Sequence, residues 1–182
     1  MEIQNIIPER IGDVVLHSII YDNKLEVTFN HTNRVRSSVI LPSKVDNDKL
    51  FLAGLAIFAS EGTNKFQISG SAREVEIVNS NPALIKTFLK FLDSLDFSKN
   101  KLKAKIELTI SSGQNSSIEI SRCEEFWSKI TGLERTQFTK PIIKIRNSKS
   151  RKSENGSLIL RLYNRPLFRL LTYWSKNLDQ II

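Results

Sequence analysis

The stretch "LFLAGLAIFASEGT" at residues 50 to 63 decides the fold, because it predicts a helix with two different faces. At about 100° per residue, bulky and small side chains separate onto opposite sides of such a helix. The bulky side carries Phe51, Leu55 and Phe58, and the small side carries Ala53, Ala56 and Ser60. The bulky side suits packing on the protein's own sheet. The small side suits either close approach of a second backbone or burial inside one domain, and the pattern leaves both open.

The predicted helix ends on an acid, Glu61, which is followed by Gly62 as the expected C-cap. The helix dipole places about half a negative charge at this end, so an acid there costs about 0.3–1 kcal/mol. Departures from local design often mark functional positions, although an exposed glutamate beside a cap is the simpler explanation. A carboxylate beside outward-pointing helix carbonyls also offers oxygen ligands to a hard cation such as Mg²⁺.

The rest of the chain predicts an α+β protein with an N-terminal β-meander over residues 1 to 45 and a main domain over residues 46 to 182. Alternation and turn residues predict strands at 13–21, 24–30, 34–41, 65–70, 73–79, 101–110 and 157–164. Helices are predicted at 48–61, from Pro82 onward, from a capping box at Ser121 to Gly132, and at 166–177. "FTKPIIK" at 138 to 144 is expected to be short and extended. The sheet should have one apolar face under helices and one open, basic face.

Positive charge is concentrated in the second half of the chain. Residues 1 to 96 contain 10 Lys and Arg against 12 Asp and Glu, whereas residues 97 to 182 contain 17 against 7. Such asymmetry favours a polyanionic partner, either nucleic acid or an anionic membrane surface.

Several other classes of protein are disfavoured by the sequence. The longest apolar run, residues 50 to 59, is too short to span a membrane. A single cysteine, Cys123, fits a reducing compartment, so a cytoplasmic location is expected. No phosphate-binding glycine loop is present, and Cys123 is expected to be a buried helix residue.

Residues 52 to 63, "LAGLAIFASEGT", resemble the signature helix of the LAGLIDADG homing-endonuclease family. Aligned from its end, Glu61 matches the metal-binding acid of the family, Gly62 the glycine after it, and Ala56 the first close-packing small position. The predicted order of elements over roughly residues 46 to 178 also resembles the αββαββα core of the family. The N-terminal strands and an inserted helix at 121 to 131 depart from that pattern.

The resemblance implies a homodimer, because the chain has one signature helix and the family packs two face to face. The dimer interface would consist of Ala53, Ala56 and Ser60. Glu61 and its symmetry mate would hold Mg²⁺ or Mn²⁺, and the chain would cleave double-stranded DNA at a long, pseudo-palindromic site by metal-assisted hydrolysis. The candidates for a peripheral catalytic residue are Lys140 and either Lys103 or Lys105.

The same resemblance implies an antiparallel DNA-binding sheet whose outward side chains contact the major groove. The candidates on the strands are Lys65, Gln67, Ser69, Arg73, Glu76, Lys101, Lys103, Lys105 and Arg161. A basic loop would hold phosphates through Arg146, Lys149, Arg151 and Lys152. Two alternatives stay open: a DNA-binding regulator or RNA-splicing maturase of the same fold without nuclease activity, and an interaction protein that binds RNA or an acidic partner.

Overall fold

The computed structural model describes residues 1–30, 36–62, 74–111, 115–146 and 153–181 of the 182-residue chain. Within these ranges the protein is α+β, with helices packed against two four-stranded sheets. The strands are β1 Arg10–Ile11, β2 Val14–Tyr21, β3 Lys24–Asn30, β4 Ser37–Pro42, β5 Val75–Asn79, β6 Leu102–Ser111, β7 Phe138–Arg146 and β8 Ser157–Leu162. The α-helices are α1 Asp48–Glu61, α2 Pro82–Ser94, α3 Ser116–Thr131 and α4 Arg165–Lys176.

The first sheet is the predicted N-terminal meander, with strand order β1-β2-β3-β4 and antiparallel pairing throughout. Asp22 and Asn23 form the two-residue turn between β2 and β3, and both have positive φ, as short hairpins require. One face of the meander is buried through residues such as Leu25, Val27 and Phe29. The meander therefore belongs to the same hydrophobic core as the rest of the described chain.

The second sheet has strand order β5-β8-β6-β7. The pairs β5–β8 and β6–β8 are antiparallel, but β6 and β7 are parallel. The prediction of an antiparallel sheet is therefore wrong at this pair, because the segment expected to be short is a nine-residue strand. Pro141, which lacks an N–H group, is accommodated because it lies in a bulge on an edge strand.

The helix expected to begin at Ser121 begins five residues earlier, at Ser116. The Asn115 side chain caps it by accepting hydrogen bonds from the backbone N–H groups of Ser117 and Ile118. The capping-box prediction at Ser121 is wrong because this earlier cap starts the helix within a Ser/Asn-rich stretch that resembled a loop. The end of α3 was predicted correctly, since Gly132 follows it with φ 71°.

The other helix limits agree with the sequence. Asn47 caps α1, and Asn81 caps α2, which begins at Pro82. The predicted strand at 65–70 lies outside the described residues. The αββαββα order can therefore be compared with the structure only from β5 onward. Beyond the inserted helix α3, strand β7 is a second insertion between β6 and β8.

Helix α1 lies at the centre of the core and packs against α2 and α4. The Phe51 ring meets the rings of Phe91 and Trp174 edge-on, at centroid distances of 5.7 and 5.6 Å. Trp174 Nε1 donates to the Ile6 carbonyl oxygen at 2.8 Å, which ties α4 to the N-terminal segment. The bulky side of α1 is therefore buried, as predicted.

Candidate functional site

The small side of α1 is uncovered along much of its length. Ala56, Ala59 and Ser60 are exposed and Ala53 is half-buried, whereas Phe51, Leu55 and Phe58 are fully buried. Burial inside one domain was one of the two explanations that the sequence left open for this face. The exposure of the small side in a single chain leaves room for a second backbone.

Glu61 is the last residue of α1 and is half-buried. Gly62 follows as the C-cap, and its N–H donates to the Phe58 carbonyl oxygen at 3.0 Å. Gly62 also forms an isolated antiparallel bridge with Ile77 of β5. Glu61 is therefore held where the uncovered helix face meets β5, which is the end strand of the second sheet among the described residues.

The open face of the second sheet carries the predicted strand residues of β5, β8 and β6 in one row. Glu76 lies opposite Arg161, and Arg161 lies opposite Lys103 on its other side. Lys105 follows on the same face of β6, because alternate residues share a face. The structure therefore brings together four of the predicted DNA-binding residues. The face is not wholly polar, since Ile159 lies on it and is 5% exposed.

Arg161 is tied to two acids. Its Nε donates to Glu76 Oε2, and Glu74 Oε1 lies 3.8 Å from the same nitrogen. Burial acts to lower the pKa of Arg161, but the hydrogen bond to Glu76 and the charges of both acids outweigh burial and raise it. Arg161 is thus a fixed, neutralised cation rather than a free one.

Lys103 and Lys105 differ from Arg161 because their side chains are not paired with acids among the described residues. Neither side chain forms a hydrogen bond or an ion pair with any other residue in the described ranges. Lys103 is exposed and Lys105 is half-buried. Lys101, also predicted for this surface, is exposed in the 3₁₀ turn Lys99–Lys101 just before β6.

Lys140 does not lie near Glu61 in the same chain. It is exposed on β7, where Lys140 and Pro141 together oppose the single residue Ile106. Strand β7 is at the far edge of the sheet from β5, three strand spacings or about 14 Å away. The sequence predicts no strand order for this segment, so it does not determine how far Lys140 lies from Glu61.

The sequence reading missed Lys144 on the same face. Lys144 of β7 lies beside Thr109 of β6, and its Nζ donates to Glu107 Oε1 at 2.6 Å. The alternation of polar and apolar residues in "IIKIR" was a usable signal, but the segment was predicted only to be short and extended. Arg146 ends β7, whereas Lys65, Gln67, Ser69, Arg73, Lys149, Arg151 and Lys152 lie outside the described residues.

Cys123 is fully buried in α3, as expected. Burial raises the pKa of its thiol, and the nearby Arg122 charge only partly opposes this effect. A raised pKa keeps the sulfur protonated, which does not suit a nucleophile.

The oxygen ligands at the end of α1 are of the type that a divalent cation prefers, but they are too few to hold one. A carboxylate and helix-end carbonyl groups are hard oxygen ligands. Within the described ranges, however, no three His, Cys, Asp or Glu side chains cluster in a way that could hold a metal ion. Glu74 and Glu76, the acids on the neighbouring strand, are engaged by Arg161. A metal at Glu61 would therefore need donors from beyond these residues, such as a second copy of the chain.

Comparison with protein-family models, curated proteins and solved structures finds no match for this chain. Over the described residues, no helix has the length and apolar character needed to cross a membrane.

Proposed function

We propose that the protein is a homodimeric, divalent-metal-dependent endonuclease that cleaves double-stranded DNA, of the LAGLIDADG homing-endonuclease kind. One observation carries the proposal: the uncovered small face of α1 ends on Glu61 at the edge of a sheet whose open face bears cations. An interface, an acid and a basic surface thus lie next to one another.

The proposed dimer packs the two α1 helices through Ala53, Ala56 and Ser60. Small side chains let helix backbones approach closely, which favours such packing. A two-fold axis at this interface would place the two Glu61 residues near each other and the two β5 edges on either side of them. The two open sheet faces would then form one surface, and the target would repeat about the same axis.

In this dimer, Glu61 and Glu61 of the partner subunit would hold Mg²⁺ or Mn²⁺. Such an ion, when bound, activates water and stabilises charge on a phosphodiester. The residues of this chain position the acid: the Gly62–Ile77 bridge fixes the end of α1 on the sheet that would carry the DNA. Lys103 and Lys105 supply positive charge on that surface.

The test is cleavage of a plasmid library that contains random target sequences, with Mg²⁺ and with Mn²⁺. Wild-type protein should linearise a subset of plasmids, and Glu61→Gln should cut none while retaining DNA binding. Glu125→Gln is the matched control, since Glu125 is exposed on α3, and it should cut like the wild type. Glu61→Gln should unfold at no lower denaturant concentration, because it removes an acid from a helix C-terminus.

A DNA-binding regulator or RNA-splicing maturase without nuclease activity is the second candidate. It is favoured by the position of Lys140, which lies across the sheet from Glu61. Wild-type protein that binds duplex DNA tightly but never cuts would support this candidate. Protein that is strictly monomeric in solution and on DNA would contradict the paired-acid site, and failure to bind DNA would favour an RNA or acidic protein partner.

A further inference from the structure

We infer that Arg161 reads a guanine base in the major groove and that Glu76 is the residue that positions it. This inference rests on the proposed binding of double-stranded DNA but not on cleavage. It assigns base recognition to Arg161 and phosphate binding to Lys103 and Lys105, although the sequence predicts DNA binding for all three.

Arg161 lies on β8, which is flanked in the sheet by β5 and β6. Its guanidinium is anchored through Nε, which donates to Glu76 directly across the strand pair. No other described residue bonds to its two terminal nitrogens. The Arg161 side chain keeps 24% of its surface exposed, against 14% for Glu76. Arg161 is therefore anchored at Nε and partly exposed, and its two terminal amino groups have no partner among the described residues.

The charge balance argues against a phosphate as the partner of Arg161. Phosphate binding draws its free energy from net positive charge and the release of counterions. Arg161 is paired with Glu76 and has Glu74 3.8 Å away, so the cluster as a whole is not positive. A base edge carries no net charge, and guanine presents two acceptors, O6 and N7, that match the two amino groups of an arginine.

Fixing the guanidinium also favours base reading. A planar fork that is already held in place loses less freedom when it binds, and it rejects bases whose acceptors do not fit. Glu76 itself would not read cytosine, because its carboxylate is already occupied by Arg161. Its task is to orient the arginine.

Lys103 and Lys105 have the opposite character. Their side chains have no acidic partner among the described residues. On β6, Lys103 lies opposite Arg161 and Lys105 lies opposite Ile159. Unpaired lysines on a strand suit phosphate contacts, which give affinity without sequence preference. The open face would therefore combine Arg161, which reads a base and is neutralised by its acids, with Lys103 and Lys105, which bind phosphates.

The experiment selects preferred duplexes from a randomised pool with the wild-type protein. Binding is then measured by fluorescence anisotropy at several salt concentrations, with each G·C pair replaced in turn. One replaced pair in each half-site should weaken wild-type binding about 5- to 150-fold. For Arg161→Ala, replacing that G·C pair should no longer weaken binding, while replacements at the other positions keep their effects. The logarithm of the binding constant falls linearly with the logarithm of the salt concentration, and the steepness of this fall is the salt slope. Lys103→Ala and Lys105→Ala should each lower the salt slope by about one without changing base preference.

Glu76→Gln is the second arm, and it keeps the test valid if an Arg161 variant folds poorly. It should reduce discrimination at the same base pair and tighten binding to unrelated duplexes, because one negative charge is removed. A positioning role predicts both changes, whereas a purely structural role would weaken all duplexes alike.

Four results would overturn the inference. The first is an Arg161→Ala protein that keeps the guanine preference. The second is an Arg161→Ala protein whose binding to every duplex is weakened equally with a lower salt slope, as the loss of a phosphate contact would cause. Wild-type protein that binds all duplexes equally would overturn the reading role and leave DNA binding intact. Wild-type protein that binds no duplex would overturn this inference together with the proposed function.

Discussion

Gly54 shows how one residue sets the position of the central helix. It is buried where α1 meets α2, and a Cβ added there would lie 2.0 Å from Phe91 Cγ. In the sequence, Gly54 lies within "LAGL" at residues 52 to 55. The structure gives it a role inside the chain, since it lets the Phe91 ring lie against the helix backbone.

We expect Gly54→Ala to lower the free energy of unfolding by about 1–3 kcal/mol through overpacking. The better helix propensity of alanine, worth about 1 kcal/mol, offsets only part of that loss. Urea denaturation followed by circular dichroism measures the change. A double-mutant cycle with Phe91→Leu is the control, because the smaller side chain should relieve part of the clash. If the two substitutions changed the free energy of unfolding additively, the contact between position 54 and Phe91 would not be the cause of the lost stability.

At the scale of elements, helix α1 has one face in the core and one face uncovered. Ala56 lies near the middle of the uncovered face. If this face is the dimer interface, Ala56→Glu places two like charges close together about the symmetry axis, which costs several kcal/mol. We expect the dimer dissociation constant to rise at least tenfold, as measured by analytical ultracentrifugation.

Ser121→Glu on α3 is the matched control for this prediction, since Ser121 is also a small, exposed helix residue. It introduces the same charge away from the proposed interface and should leave the dimer unchanged. An Ala56→Glu protein that dimerises as strongly as the wild type would place the interface elsewhere.

At the scale of the whole molecule, the N-terminal meander and the second sheet share one core. Ile3, Leu25 and Phe29 are fully buried, and Ile6 accepts the hydrogen bond from Trp174. The N-terminal ammonium group also bonds to Asp48 at 2.8 Å, at the start of α1. Removing residues 1 to 45 would therefore uncover the side of the core that the meander covers.

We expect a chain of residues 46 to 182 alone not to fold cooperatively. Each large apolar side chain that loses its cover costs about 1.5–3 kcal/mol, and the sum exceeds the roughly 5–15 kcal/mol by which proteins are stable. Circular dichroism melting and amide NMR spectra measure this. Ile19→Ser and Ile40→Ser in the full chain are controls, because both residues are exposed on the meander. A cooperative melt of the short chain near that of the full chain would contradict the prediction.

Local patterns were sufficient for the α+β class, for most strands and for the limits of α1 and α2. Alternation, caps and prolines act over a few residues, so the sequence carries them directly. The start of α3 was wrong because two caps competed within one polar stretch. Strand β7 was predicted only as a short extended segment, because its full length and its parallel pairing depend on contacts with β6, a distant part of the chain.

The sequence by itself determined the two-faced helix that ends on Glu61 and the alternating lysines of β6, because both follow from residue spacing within one element. The tertiary structure decided which face of α1 stays uncovered, which cations are neutralised by acids, and that Lys140 lies across the sheet from Glu61. Those properties depend on strand order and register between segments far apart in the chain. Arg161 and Glu76 are 85 positions apart, and only the pairing of β5 with β8 makes them neighbours.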